Sequence, residues 1–137
     1  MKITVYDSAR RVLRRGEWQP ANDELYAMLL TGGYRFDAKH ATTKDVKASE
    51  STGKGYVAGG KKLATSLEEG TDNDVLLAES VEWPAATIRA RYLVVYHKAS
   101  GALLACGDMD EEYASANAAF TVDVRDKTLM VLGTAKA

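Results

Sequence analysis

The chain has 137 residues, a length typical of one domain that buries a core without disulfides or metal ions. Apolar residues make up 46% and charged residues 27%, which is a globular composition and excludes a disordered chain. The formal net charge is -1, from 18 basic and 19 acidic residues, so no general attraction to nucleic acid or to an anionic membrane is expected.

The first 46 residues have a mixed pattern. Residues 2–6 alternate as in a short strand, and Ser8 is a candidate N-cap for a short basic helix over residues 9–15. Residues 25–30 form a continuous apolar run of strand length, closed by a glycine pair. The polar stretch 36–46 is typical of a surface loop or one helical turn.

From residue 49 onward, short candidate strands follow one another at short intervals, as in a sandwich or barrel. They are residues 56–57, 62–67, 75–78, 87–97, 102–107, 119–124 and 129–132. Within 87–97, strict alternation predicts one core-facing side. That side carries Ile88, Ala90, Tyr92, Val94 and Tyr96, and the core is completed by Phe120, Val122 and Val131.

Leu93 and Val95 interrupt the polar side of the segment 87–97. Apolar residues on both sides of a strand indicate that both faces are covered, here by another sheet, by a loop or by a neighbouring subunit. If the cover is a neighbouring subunit, the pair would be exposed on the single chain and would favour docking through apolar contact. We therefore treat Leu93 and Val95 as candidate interaction residues.

Turn signals connect these strands. Ser100-Gly101 predicts a hairpin, and residues 125–127 connect two further strands. Pro20 and Pro84 are placed at boundaries, because proline cannot donate to a central ladder. The expected fold is mainly β, an antiparallel β-sandwich of jelly-roll-like or Greek-key type with one or two short helices near the N-terminus. Residues 1–137 form one domain, with 1–46 as an arm and helix region packed on it.

A phosphate-binding loop is suggested by residues 55–62, Gly-Tyr-Val-Ala-Gly-Gly-Lys-Lys. This segment satisfies Gly-x4-Gly-Lys but places Lys62 where such a loop needs a Ser or Thr hydroxyl for magnesium. Polar residues precede the segment, and no helix follows it. The pattern therefore favours a glycine turn with solvated lysines.

Metal and nucleophile patterns are equally incomplete. The acidic segment 108–112 fails as an EF-hand because Tyr113 and Ala119 occupy the positions that need glycine and glutamate, which leaves a solvated loop. Asp72-Asn73-Asp74 is typical of a turn.

His40 and His97 are too few for a three-histidine zinc site, and Cys106 lies in an apolar run that does not activate a thiol. An unpaired cysteine of this kind fits a reducing compartment. The sequence predicts no catalytic residue, no metal and no cofactor, and so no enzyme.

A family resemblance is carried by three motifs in a fixed order. Residues 53–60 read Gly-Lys-Gly-Tyr-Val-Ala-Gly-Gly, residues 81–83 read Val-Glu-Trp, and residues 86–96 contain Ile-Arg-Ala-Arg-Tyr. The chain resembles a family of small virion proteins of tailed bacteriophages, which share a Gly-Tyr-x-x-Gly-Gly turn, a tryptophan before an Ile-x-Ala-Arg-Tyr strand, and a glycine-containing hairpin. The matching positions include Tyr56, Gly59, Gly60, Trp83 and Gly101.

This resemblance implies a structural role in the virion, after synthesis in the cytoplasm of the bacterial host. The expected role is capsid decoration or cementing, with the major capsid protein or other virion proteins as partners and a homo-oligomer, such as a trimer, as the working form. Arg10, Arg11, Arg14 and Arg15 form the one basic cluster. This cluster is interpreted either as a solvated face or as a docking element for an acidic partner surface or nucleic acid.

Two alternatives remain open at this point. A tail, neck or baseplate position is a variant of the same structural role. A small-ligand or glycan-binding β module is a different class of function, in which Trp18, Trp83 and several tyrosines would form a binding platform.

Overall fold

Ten β-strands dominate the computed structural model, which describes residues 1–71, 73–124 and 128–133. The strands are β1 (Lys2–Val5), β2 (Leu25–Leu30), β3 (Lys61–Leu63), β4 (Thr65–Glu68), β5 (Asn73–Ala78), β6 (Val81–Ala86), β7 (Arg89–His97), β8 (Leu103–Ala114), β9 (Ala118–Val122) and β10 (Thr128–Gly133). One α-helix, α1 (Asp7–Arg14), follows β1, and two short 3-10 helices span Thr43–Asp45 and Lys47–Ser49. The predicted class, mainly β with a short helix near the N-terminus, is confirmed.

The strands form three antiparallel sheets. The largest has the order β1-β8-β7-β2-β3, a three-stranded sheet has the order β10-β5-β4, and β6 pairs with β9. Strand β7 is therefore central in the largest sheet, with β8 on one side and β2 on the other.

Each face of the largest sheet lies in a separate hydrophobic core. On one face, Leu29, Leu93 and Val95 pack in a cluster that also contains Leu76 of β5 and Phe120 of β9. The two smaller sheets thus cover this face, which is a sandwich arrangement. The opposite face carries a second cluster: Tyr6, Met28, Leu30, Tyr34, Val46, Tyr92, Val94, Tyr96, Leu103 and Cys106. Its cover comes from the segment between β2 and β3.

Leu93 and Val95 are each 1% exposed. The prediction that they form a docking surface is wrong, because the smaller sheets of the same chain already cover them. Of the coverings that the sequence left open, another sheet is the one found.

The predicted core residues are buried: Ile88, Ala90, Tyr92, Val94, Phe120 and Val122. The Val131 side chain lies outside the described part of the structure. The prediction of one common face is wrong, since Ile88 and Ala90 lie in the first core and Tyr92 and Val94 in the second. The register against β8 shifts between Ala90 and Tyr92, where a bulge interrupts the alternation.

Strand β6 was missed because it contains Pro84, which was placed at a boundary. Its register with β9 shifts between Trp83 and Ala86, so the proline sits at an irregular point of a two-stranded sheet and interrupts no central ladder. In contrast, residues 56–57 are not a strand, and the predicted strand 62–67 is divided between β3 and β4.

Three local predictions are also corrected. The acidic segment 108–112 is part of β8 and not a loop. Ser8 lies inside α1, and its Oγ donates to the Leu103 carbonyl at 2.5 Å instead of capping the helix. Asn73 and Asp74 begin β5, while Asp72 lies outside the described residues, as does the predicted 125–127 connection.

In the described part of the chain, no helix is long and apolar enough to cross a membrane.

Candidate functional site

The glycine turn, residues 53–60, is fixed to the largest sheet by one tyrosine. The Tyr56 hydroxyl accepts a hydrogen bond from Leu29 N at 3.1 Å and donates to Glu50 Oε2 at 2.7 Å. Gly59 N donates to the same carboxylate oxygen at 2.7 Å, and the Tyr96 hydroxyl donates to the Gly59 carbonyl at 2.5 Å. Burial, reinforced by the neighbouring Glu50 carboxylate, raises the pKa of Tyr56 well above its ordinary value. The phenol therefore stays neutral and acts as a structural donor.

Two glycines of this turn allow backbone segments to touch. Gly60 has φ +77°, and a Cβ there would lie 1.8 Å from the Ala27 carbonyl oxygen. A Cβ at Gly55 would lie 2.2 Å from the Ala85 carbonyl oxygen. The Gly59 and Gly60 N–H groups, which a phosphate loop would offer to phosphate, instead donate to the Glu50 carboxylate and to the Val57 carbonyl.

The motif tryptophan joins the same unit. The rings of Tyr56 and Trp83 have centroids 5.8 Å apart, and Lys61 Nζ lies 5.8 Å from the Trp83 ring while donating to the Glu82 carbonyl at 2.6 Å. Tyr56, Gly59, Gly60 and Trp83 are therefore brought together, as the motif suggests. Trp83 is 4% exposed and Trp18 1%, so the tryptophan platform of the ligand-binding alternative is wrong.

The basic cluster lies on the outer side of α1. Ser8, Ala9 and Val12 face the body of the protein, whereas Arg10, Arg14 and Arg15 are exposed and Arg11 is half-buried. None of the four guanidinium groups has an ion pair with any described residue. The helix thus presents cations that no described residue neutralises.

A Ser-His-Asp arrangement lies at the β7–β8 hairpin. His97 Nε2 is 2.8 Å from Asp23 Oδ2, and His97 Nδ1 is 2.7 Å from Ser100 Oγ. Ser100 Oγ also accepts from Ala102 N at 3.2 Å, and Gly101 N donates to the His97 carbonyl at 2.8 Å. The N–H groups next to the serine are thus occupied, and an oxyanion hole needs free donors. The arrangement ties the segment before β2 to the hairpin.

Cys106 and the side chains of Tyr6, Tyr34 and His40 form a polar chain that runs from the second core to a half-buried histidine. The hydroxyls of Tyr6 and Tyr34 are 2.7 Å apart, and Tyr34 Oη is 2.9 Å from His40 Nδ1. Burial raises the pKa of the Cys106 thiol to about 12 and that of Tyr34 to about 12. The thiol is therefore protonated at neutral pH and is not an activated nucleophile.

Metal-ligating side chains do not gather in residues 1–71, 73–124 and 128–133, where no group of three or more His, Cys, Asp or Glu could hold an ion. The acidic stretch of β8 is instead engaged with arginines. Arg91 binds Asp108 through two hydrogen bonds of 2.9 and 3.2 Å, and Arg89 Nη1 lies 3.7 Å from Glu112 Oε1.

Sequence reasoning missed two of these contacts for the same reason. Glu50 accepts a hydrogen bond from Tyr56 of the glycine turn, and Asp23 forms a hydrogen bond with His97 of the hairpin. Neither acid belongs to a recognisable motif. Asp23 and His97 are separated by 74 positions, so only the pairing of β2 with β7 brings them together.

We expect Gly60→Ala to destabilise the fold much more than Gly16→Ala. Both glycines have positive φ, so each substitution costs roughly 1–2 kcal/mol of backbone strain. Only at Gly60 does the new Cβ strike a carbonyl, which adds about 1–3 kcal/mol, because Gly16 has nothing within 4 Å. Urea unfolding measures the free energy of unfolding of both variants. Equal losses of stability would contradict the close contact with Ala27.

The Asp23 carboxylate should stabilise the fold in a pH-dependent way. Its hydrogen bonds from Gln19 N first, and from His97 second, lower the pKa of Asp23 below its ordinary 3.8. A lowered folded-state pKa contributes stability that is present above pH 3.8 and is lost as pH falls through the folded value. Asp23→Asn should therefore lower the free energy of unfolding at neutral pH. Its difference from the wild-type free energy of unfolding should shrink in acid.

Glu111→Gln is the matched control for Asp23→Asn, since it removes one charge from an exposed acid without a hydrogen bond or ion pair to any described residue. It should change the free energy of unfolding by less than about 0.5 kcal/mol. Thermal unfolding between neutral and acid pH gives both comparisons. A pH-independent effect of Asp23→Asn would mean that its charge contributes nothing.

Comparison of the chain with protein-family models, with curated proteins and with solved structures finds no match in any of the three. The function must therefore be inferred from the residues themselves.

Proposed function

We propose that this chain is a structural protein of a tailed-bacteriophage virion, which decorates or cements the capsid by binding the lattice of the major capsid protein. The observation that carries the proposal is the assembly of the family motif into one packed unit. Tyr56 and Gly59 both donate to the Glu50 carboxylate at 2.7 Å. Trp83 is distant from them in the sequence, yet its ring centroid lies 5.8 Å from that of Tyr56. This gives the ordered motif a structural purpose.

A rigid β-body of this kind suits a cementing role. Its two cores and the hydrogen-bonded turn hold the surface in a fixed shape, so little conformational entropy is lost on binding. On a symmetric lattice, a symmetric oligomer engages several sites at once, and modest single contacts then give tight attachment.

The docking element in this proposal is the basic face of α1. With Leu93 and Val95 buried, the sequence-predicted residues left for docking are Arg10, Arg11, Arg14 and Arg15. Guanidinium groups bind carboxylates with two parallel hydrogen bonds, so the partner surface is acidic. The exposed side chains of Val57 and Tyr113, 74% and 49% exposed, supply apolar contact area elsewhere on the molecule.

Mass spectrometry of purified, washed virions tests the proposal directly. Tens to hundreds of copies per particle, in a lattice multiple, are expected for capsid decoration. A copy number of about six or twelve would move the chain to the tail or neck. Its absence from washed particles would exclude a virion role.

A charge reversal tests the docking element in the same particles. Arg14→Glu with Arg15→Glu should release the protein, because two exposed cations at the end of α1 become anions facing an acidic surface. The matched control is Lys44→Glu with Lys47→Glu, an equal charge change at exposed positions near the 3-10 helices. Equal release of both double variants would show general electrostatics and not a specific role for α1.

A further inference from the structure

An open cleft of about 470 Å³ lies beside the largest sheet, at a place that the virion proposal does not use. Its walls are the segment 32–36 after β2, together with Arg91 and Tyr92 of β7. The volume is within the range of about 300–1,000 Å³ that is typical of small-ligand sites. The cleft combines two guanidinium groups with aromatic rings.

One of the two cations that line the cleft has no ion pair among the described residues. Arg91 is paired with Asp108, and Glu112 lies close to Arg89. Arg35 is exposed and has no ion pair or hydrogen bond to any described residue. The Gly33 N–H, also at the cleft, likewise has no acceptor in the described part of the chain. The cleft thus offers a guanidinium and a backbone N–H that no described residue occupies.

The walls of the cleft are held in place before any ligand arrives. Gly32 N donates to Glu112 Oε2 at 2.8 Å, which fixes the Gly32-Gly33 turn to β8. The Arg91 guanidinium lies 5.2 Å from the Tyr92 ring centroid, and Tyr34 meets Tyr92 edge-to-face at 5.3 Å. A site whose groups are already oriented loses little entropy on binding.

The apolar wall is formed by Phe36. Its half-buried ring packs on Tyr6 with centroids 5.0 Å apart, which leaves part of the ring accessible. A ligand in an open cleft keeps one side in water. This favours a hydroxylated ring, which has an apolar C–H side for Phe36 and polar groups for the solvent.

We infer that this cleft binds a carboxylated sugar, with the carboxylate on Arg35 and the Gly33 N–H and the sugar ring against Phe36. The one cleft guanidinium that no described residue pairs matches a single carboxylate. Phosphate monoesters carry about −1.5 to −2 at neutral pH, and the nearby Asp37 and Asp110 carboxylates repel such a dianion more strongly than a monoanion. The Arg35 guanidinium also presents the planar pair of donors that a carboxylate fits.

An NMR titration of the full chain with sodium D-glucuronate tests this inference. The amide signals of Gly32 and Gly33 should shift in a saturable way. D-Glucose, which has the ring without the carboxylate, and acetate, which has the carboxylate without the ring, should each bind at least tenfold more weakly. Inorganic phosphate should also bind more weakly than glucuronate.

Arg35→Ala should weaken glucuronate binding by roughly tenfold or more, as expected for the loss of a charged hydrogen bond. Arg14→Ala is the matched control, because it removes the same charge from an exposed position at the far end of α1, and it should leave the affinity within about twofold. Equal weakening by the two variants would overturn the inference.

Three ligand results would also overturn it: no saturable shift with glucuronate, glucose or acetate binding as tightly as glucuronate, and tighter binding of phosphate. These measurements use the purified chain alone. Their failure would leave the virion proposal standing, and absence of the chain from virions would leave this cleft untouched.

Discussion

Strand β7 is apolar on both faces, and the rest of the structure follows from the need to cover them. Leu93 and Val95 face one core, while Val94 and Tyr96 face the other. A sheet that is buried on both sides needs two separate covers. The two smaller sheets supply the first, and the segment between β2 and β3, with little regular structure of its own, supplies the second.

An irregular cover must satisfy its backbone polar groups without a ladder, and polar side chains do this here. The Tyr56 hydroxyl accepts from Leu29 N next to the β2–β3 pairing, and Glu50 accepts from the glycine turn. Ser51 Oγ donates to the Arg89 carbonyl at 2.6 Å, and Ser51 N to the Leu29 carbonyl. Glycine is required at position 60, since the cover approaches the sheet closely enough for backbone to meet backbone.

The parts of this fold that depend on local pattern could be predicted from the sequence. Strand β2 has the predicted bounds, and β7 lies within the predicted segment, because a continuous or alternating apolar run is a local signal. Irregularities could not be predicted. The bulge opposite Arg91 includes Asp110 at φ +71°, a conformation that no neighbouring residue requires, and β6 tolerates Pro84 only because it belongs to a two-stranded sheet.

The candidate sites, like the strands, could be predicted from the sequence only where their residues are close together in the chain. The turn motif was recognisable because its residues are close in sequence, whereas the cleft combines residues 32–36 with two residues of β7 that only strand pairing brings near. Composition placed Arg10 and Arg14 in a basic cluster, but whether they are neutralised depends on the fold. Leu93 and Val95 show the reverse case, in which an apolar signal correctly indicated a covered face but did not identify the cover.

The two proposed functions use opposite ends of α1 and are therefore compatible. The start of α1 lies against the segment that lines the cleft, because Tyr6 packs on Phe36 with ring centroids 5.0 Å apart and Asp7 N donates to the Ala38 carbonyl at 3.0 Å. Arg14 is seven positions beyond Asp7, about 10 Å along the helix at roughly 1.5 Å per residue. A chain that docks through Arg14 and Arg15 therefore makes its contacts at the far end of α1, and the cleft stays accessible.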